Sequence, residues 1–341
     1  MKRLFLLLLA VCPLQAFAAP GLNDAFFDTC QSAALSDADP RIFKGIGGWY
    51  FLKAELAHIA KREFWGARSR DVSLSTKPDS ADPVPAIVDF NNQLKAKGIE
   101  LILLPVPAKA FVYPDKLDAS LKAPGSERLD YYHVRFYDVL KKQGVKVLDI
   151  MPLLLNERAM GNKVYCETDA HWSAYACEIA ASELAGMLKS ASWYAEIPKR
   201  KMNAAEKTIR ISGDLVTNEE PKLTEDLAVR VITDGTGQYI EAAEASPVIL
   251  MGDSHTLVFH DGGDMLCEGA GLFDQLAYEL AFAPDLIGVR GSGSTASRVN
   301  LFRKSKYYAE YLADKKVVIW CITVREFTES PSGWKLVPVS P

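Results

Sequence analysis

The chain has 341 residues, 49% hydrophobic and 24% charged, the proportions of an ordinary soluble globular protein rather than a disordered or fibrous one. Its formal net charge is −4, and no Lys/Arg-rich run marks a surface for nucleic acid. The length suits one large α/β domain or two modest ones.

The N-terminus reads as a secretory signal. Lys2 and Arg3 precede a short apolar core at 4–11, and Ala16-Phe17-Ala18 fits a small-x-small cleavage pattern. Residues 1–18 are expected to be removed, leaving 19–341 as the mature chain. Loss of Lys2 and Arg3 takes the net charge to −6. The apolar run falls short of the ~20 residues that span a bilayer, and Pro13 and Gln15 interrupt it. Export permits disulfides. Cys30, Cys166, Cys177, Cys267 and Cys321 would remain, so at least one thiol has no partner within the chain. They form no C-x-x-C pair, and metal-ligand spacing is absent.

In chain order, Pro78 to Pro85 is a polar connection that reads as a surface loop. A helix follows at 85–97, opened by Pro and closed by Gly98. A Val/Ile/Leu-rich run at 99–106 has the composition of a strand buried on both faces. A helix at 125–143 ends at Gly144, and a second apolar run spans 145–150. Ser173 is a good N-cap for a helix at 173–188. Residues 192–246 break the rhythm: they are more polar, with β-prone pieces and Gly turns, and read as an insertion or small β subdomain. Apolar runs return at 248–251, 286–289 and 317–320, with a helix at 296–313 between the last two. Strands alternating with helices predict an α/β fold with a doubly wound parallel sheet.

Two short segments carry chemistry. The run at 248–251 ends in Gly252-Asp253-Ser254. Ligands of open parallel sheets sit beyond the carboxyl ends of strands, so the Ser254 hydroxyl is placed at a crevice and its N–H is available to an oxyanion. The alternative is a turn that uses Asp and Ser for local hydrogen bonds. The second segment is Thr168-Asp169-Ala170-His171-Trp172-Ser173, immediately before a helix. A serine hydroxyl needs a base, imidazole serves near neutral pH, and a carboxylate fixes its tautomer. The predicted triad is Ser254, His171 and Asp169.

Taken together, these segments resemble the alginate O-acetyltransferase family of the AlgJ and AlgX type, an SGNH-hydrolase-like fold in a circularly rearranged motif order. Further matches lie at Gly45-Ile46-Gly47-Gly48-Trp49-Tyr50-Phe51-Leu52, at Leu104-Pro105-Val106-Pro107-Ala108-Lys109 running to Val112-Tyr113-Pro114, and at Tyr165 through Trp172. Val318-Ile319-Trp320 followed by Arg325-Glu326 resembles the closing strand. The resemblance implies Ser254 as nucleophile, His171 as base and Asp169 as its orienter. It also implies a periplasmic polysaccharide O-acetyltransferase, supplied with acetyl groups by a membrane-bound acyltransferase and acting on an exopolysaccharide. No metal or organic cofactor is required. A polysaccharide O-acetylesterase using water, or a non-catalytic scaffold or binding subunit of an export complex, are the alternatives.

Five further residues are candidates for substrate binding. Lys109 and Tyr113 follow the strand at 99–106 and so share an edge with Ser254. Trp172 adjoins His171 and offers a ring to stack on sugar, His255 adjoins Ser254, and Arg325 follows the last strand. Against this stand core packing for the tryptophan and a structural ion pair for Arg325. The loop Arg290-Gly291-Ser292-Gly293-Ser294 could lend N–H groups to an oxyanion but reads better as a plain turn.

Overall fold

The computed structural model describes residues 20–122, 127–216, 223–291 and 293–341. The signal expected at 1–18 therefore lies outside the described residues, as does Ser292. No helix among the described residues is long and apolar enough to cross a membrane.

The elements run α1 (Pro20–Ala34), β1 (Ile42–Lys44), β2 (Tyr50–Leu52), α2 (Lys53–Ala60), α3 (Pro83–Ala96), β3 (Glu100–Val106), α4 (Tyr131–Lys142), β4 (Lys146–Val147) and α5 (Met151–Ala159). Then come α6 (Ala174–Lys189), β5 (Met202–Ile211), β6 (Glu225–Asp234), β7 (Val248–Gly252), α7 (Leu272–Leu280), β8 (Asp285–Gly288), α8 (Ala296–Tyr307) and β9 (Val317–Thr323), with single turns of helix between them.

Five strands form a parallel sheet in the order β4-β3-β9-β7-β8. Leu103 pairs with Trp320, and Met251 pairs with Trp320 from the other side. Every residue of β7 and β9 is buried. A central strand covered on both faces must be apolar throughout, which is why these segments show no alternation. The two halves of the sheet wind outward from β9, which places the crevice at the carboxyl ends of β3, β9 and β7.

The predicted α/β sheet is present, with boundary shifts that have local causes. β4 is two residues long rather than the six expected. Leu148 still donates to Leu103 O, but Asp149 turns away to bind Arg128 at 2.6 Å and to accept from Met151 N–H, which opens α5. α3 starts at Pro83 because Asp82 caps it by accepting from Val84 N–H at 3.1 Å, so the end of the predicted loop is helix. α4 starts only at Tyr131, with residues 123–126 outside the described ones. α8 stops at Tyr307, after which Tyr311 turns inward to bond Asp285. β9 continues three residues past the expected end, through Thr323.

Residues 192–246 contain the antiparallel pair β5–β6, ten residues in each strand. β6 packs on α6 and α7, whereas β5 is exposed over most of its length. At the far end of this hairpin, Ile211 and Glu225 become buried, and the backbone at Gly213 and Leu215 turns toward Thr168.

Candidate functional site

β7 delivers the serine. Its last residue, Gly252, passes so close to β9 that a Cβ there would lie 1.7 Å from Cys321 O, so only glycine fits. Asp253 then fixes the turn. Its Oδ1 accepts from His255 N–H at 2.9 Å, and its Oδ2 accepts from Thr323 N–H on β9 at 2.7 Å. Ser254 is left at the carboxyl end of the sheet with its N–H unpartnered among the described residues.

The Asp-His turn is built from the other side. Tyr165 and Trp172 close it with an antiparallel bridge, and Ser173 caps α6 by accepting from Ala176 N–H at 3.2 Å. His171 Nδ1 lies 2.6 Å from Asp169 Oδ1, and its Nε2 lies 2.8 Å from Ser254 Oγ. The carboxylate selects the tautomer with the proton on Nδ1, which leaves Nε2 as the acceptor for the serine hydroxyl. The three side chains predicted to meet thus form a continuous hydrogen-bonded chain.

Electrostatics follow from burial and partners. Burial opposes the charged imidazolium of His171, but the hydrogen bond and charge of Asp169 outweigh it, and the pKa is raised above 6.5. Burial likewise opposes the Asp169 carboxylate, yet His171 and the backbone N–H groups of Asp214 and His171 hold its pKa below the usual carboxylate range.

The groups that brace this turn carry no signal legible in the sequence. Glu225, buried at the start of β6, accepts from Glu167 N–H at 3.0 Å, from Thr168 N–H at 2.8 Å and from the Thr168 hydroxyl at 2.7 Å. Asp214 N–H donates to Asp169 Oδ2 at 2.9 Å, and Asp214 Oδ1 accepts from Ala170 N–H at 2.8 Å.

The five lining candidates fall differently. Lys109 is 1% exposed, and its ammonium donates to Tyr50 O at 2.8 Å and Asp169 O at 2.6 Å. It therefore lies behind the Asp169 turn and presents no charge to solvent. Tyr113 is buried against Trp49, ring centres 4.2 Å apart, and its hydroxyl accepts from Val164 N–H. Trp172 has 0% exposure and no face for a sugar. Arg325 pairs with Glu55 at 3.1 Å, so the structural ion pair holds. His255 lies beside the site, its ring centre 4.7 Å from that of His171, but its Nδ1 faces Asp253 Oδ1 at 3.1 Å. Burial pushes the His255 pKa down. All five described cysteines are free, four of them buried.

Asp169, His171 and Asp214 bring ligand-type atoms within 4.8 Å of one another. Their lone pairs are already taken: Asp169 by His171 and Asp214 N–H, Asp214 by Ala170 N–H and Arg41. That donor set does not make a metal site.

Residues 44–320 match the family model described as SGNH hydrolase-like domain, acetyltransferase AlgX, and the chain belongs to that family. A probable alginate O-acetylase AlgJ of Pseudomonas syringae pv. tomato is 27% identical over 183 residues, 54% of this chain and 42% of that protein. One from Pseudomonas fluorescens is 33% identical over 123 residues, 36% of this chain and 30% of that one. The matched segments span less than half the length of these relatives. The O-acetyltransferase domain of Pseudomonas putida AlgJ superposes with a TM-score of 0.62 at 19% identity, covering 86% of this chain and 94% of that one. Pseudomonas aeruginosa AlgX gives 0.57 at 16%, covering 85% and 63%. These likenesses establish the SGNH-hydrolase-like fold.

Proposed function

We propose that this protein is a periplasmic O-acetyltransferase that acetylates hydroxyl groups of an exopolysaccharide. The observation that carries the reading is the chain Ser254 Oγ to His171 Nε2 at 2.8 Å and His171 Nδ1 to Asp169 Oδ1 at 2.6 Å, set at the carboxyl end of β7. Family membership supplies the acyl chemistry, because relatives matched over part of their length are named alginate O-acetylases.

In the first step His171 Nε2 takes the Ser254 proton as Oγ attacks the carbonyl carbon of an acetyl donor. The tetrahedral intermediate collapses, the donor oxygen leaves with the proton from His171, and acetyl-serine remains. A sugar hydroxyl then gives its proton to His171 and attacks the acetyl carbon. Ser254 Oγ leaves and recovers that proton. Asp169 stays ionised throughout and stabilises the imidazolium formed in each step. Ser254 N–H receives the oxyanion. Gly293 packs its backbone against the nucleophile turn, since a Cβ there would lie 2.6 Å from Asp253 N.

Acetyl-CoA is a cytoplasmic donor, so export of the acetyl group falls to a membrane-bound acyltransferase partner. Each step is an acid–base and acyl exchange that these side chains carry without a metal or organic cofactor.

The test is acceptor competition. Purified protein is given a chromogenic acetyl ester with and without candidate oligosaccharides. Acetylated oligosaccharide by mass spectrometry is expected; acetate alone would make the protein an esterase. If Ser254→Ala leaves polymer acetylation in cells unchanged while export fails, the protein is a scaffold and the reading falls.

A further inference from the structure

Asp214 lies on the connection that follows β5, far in sequence from every triad member. Its polar groups converge on them nonetheless. The backbone N–H holds Asp169 Oδ2 at 2.9 Å, the oxygen not engaged by His171. Oδ1 holds Ala170 N–H, between Asp169 and His171, at 2.8 Å. Behind it, Arg41 donates to Asp214 O at 2.8 Å and to Oδ2 at 2.5 Å. A second carboxylate therefore stands within 4.8 Å of the imidazole and the first carboxylate, with a guanidinium on its outer side.

Two carboxylates this close repel, so each needs opposite charge or hydrogen-bond donors to stay ionised. Here the first carboxylate is locked by backbone N–H groups. The second is balanced by a cation that is itself half exposed, the side chains of Arg41 and Asp214 being 49% and 33% accessible. We propose that Asp214, backed by Arg41, is a positioning residue of the acyl-transfer centre: it orients Asp169 and its carboxylate charge acts on the His171 imidazole. This rests on the reading of Ser254, His171 and Asp169 as the triad.

The other charged groups around His171 come from separate elements. Asp169 is on its own turn. His255 and Asp253 follow β7, beside the neutral Ser254 hydroxyl, and Arg325 follows β9. Lys109, after β3, and Glu225, on β6, face the Asp169 side. Of the groups whose charges bear on His171, Asp169 and Asp214 favour the imidazolium and Arg325 opposes it.

Opposite charges make opposite predictions. Asp214→Asn keeps the backbone N–H and an acceptor for Ala170 but removes one negative charge. The acid limb of kcat/KM for acetyl-ester hydrolysis should move down by about half a pH unit, about threefold in rate on that limb. Arg41→Gln leaves the Asp214 charge unopposed and should move the limb up. Because the pair is half exposed, both displacements should shrink as salt is raised.

The same displacements are read without turnover by NMR titration of the His171 ring in histidine-labelled protein, assigned with His171→Gln. Thermal melts establish that each variant is folded. Opposite displacements of the His171 midpoint support the assignment. Displacements in the same direction, or none in either folded variant, overturn it. If instead Ser254→Ala keeps full activity, the triad reading fails, and the ring titration still decides whether Asp214 acts on His171.

Discussion

The chain contains the same small device twice. Asp169-Ala170-His171 and Asp253-Ser254-His255 each place a carboxylate two residues before an imidazole, and in each the Asp accepts from the His backbone N–H. The two rings lie side by side, and both pairs are buried. Yet the His171 pKa is raised and the His255 pKa lowered. The contact within each pair differs, 2.6 Å against 3.1 Å from ring nitrogen to carboxylate. The surroundings differ too. Asp214 adds negative charge near His171, whereas the neighbouring His171 disfavours a charged His255; Arg325 opposes the charged form of both. At His171 the close Asp169 contact, helped by the distant Asp214, outweighs burial, whereas at His255 burial prevails over the looser Asp253 contact.

The sharpest way to break this contrast is to remove each imidazole. His171→Ala or Ser254→Ala should lower kcat for acetyl-ester turnover on the order of 10⁴-fold or more, while His255→Gln costs less than about tenfold because His255 moves no proton. Equal losses from His171→Ala and His255→Gln would erase the distinction. Asp169→Asn should cost about 10³–10⁴-fold by favouring the wrong tautomer. Asp253→Asn should appear instead as lost stability, about 1–3 kcal/mol in chemical denaturation, because its oxygens serve backbone N–H groups of His255 and Thr323.

A third expectation concerns pH. An imidazolium cannot accept the Ser254 proton, so activity falls as pH is lowered through the His171 pKa. With that pKa raised, the acid limb of kcat/KM should lie above the ordinary imidazole value of 6.5. A limb below 6.5 would contradict the environment described here. A last expectation concerns Lys109: Lys109→Met removes the ammonium that donates to Tyr50 O and Asp169 O and should cost about 1–2 kcal/mol in thermal or denaturant unfolding. An unchanged midpoint would mean that the buried ammonium is not a brace.

What the sequence disclosed and what it hid divide along the same line. The strand ends and the Asp169, His171 and Ser254 boxes are legible because strand burial, helix caps and short turns are local patterns. Ser173 announces α6 by its own side chain, and Gly252 marks the close approach to β9. Asp214, Glu225 and Arg41 carry no such mark. Their partners lie 44, 57 and 173 residues away, and nothing in spacing or composition joins them. Lys109, Tyr113 and Trp172 illustrate a subtler limit. Position after a strand predicts the correct end of the sheet, but not whether a side chain enters the crevice or passes beneath it. For Lys109 the carbonyls of Tyr50 and Asp169 decide, and the chain passes beneath.

The free cysteines have a consequence for how such a chain must mature. Cys30, Cys166, Cys177 and Cys321 are shielded by packing, with burial raising each thiol pKa well above its ordinary value. That protection exists only after collapse. Under the proposed export, a chain emerging unfolded into an oxidising space exposes these thiols at ordinary reactivity, so productive folding races against mispairing. Speed of core formation, rather than any covalent staple, then governs yield, and refolding under oxidant should trap more of the chain than refolding under reductant.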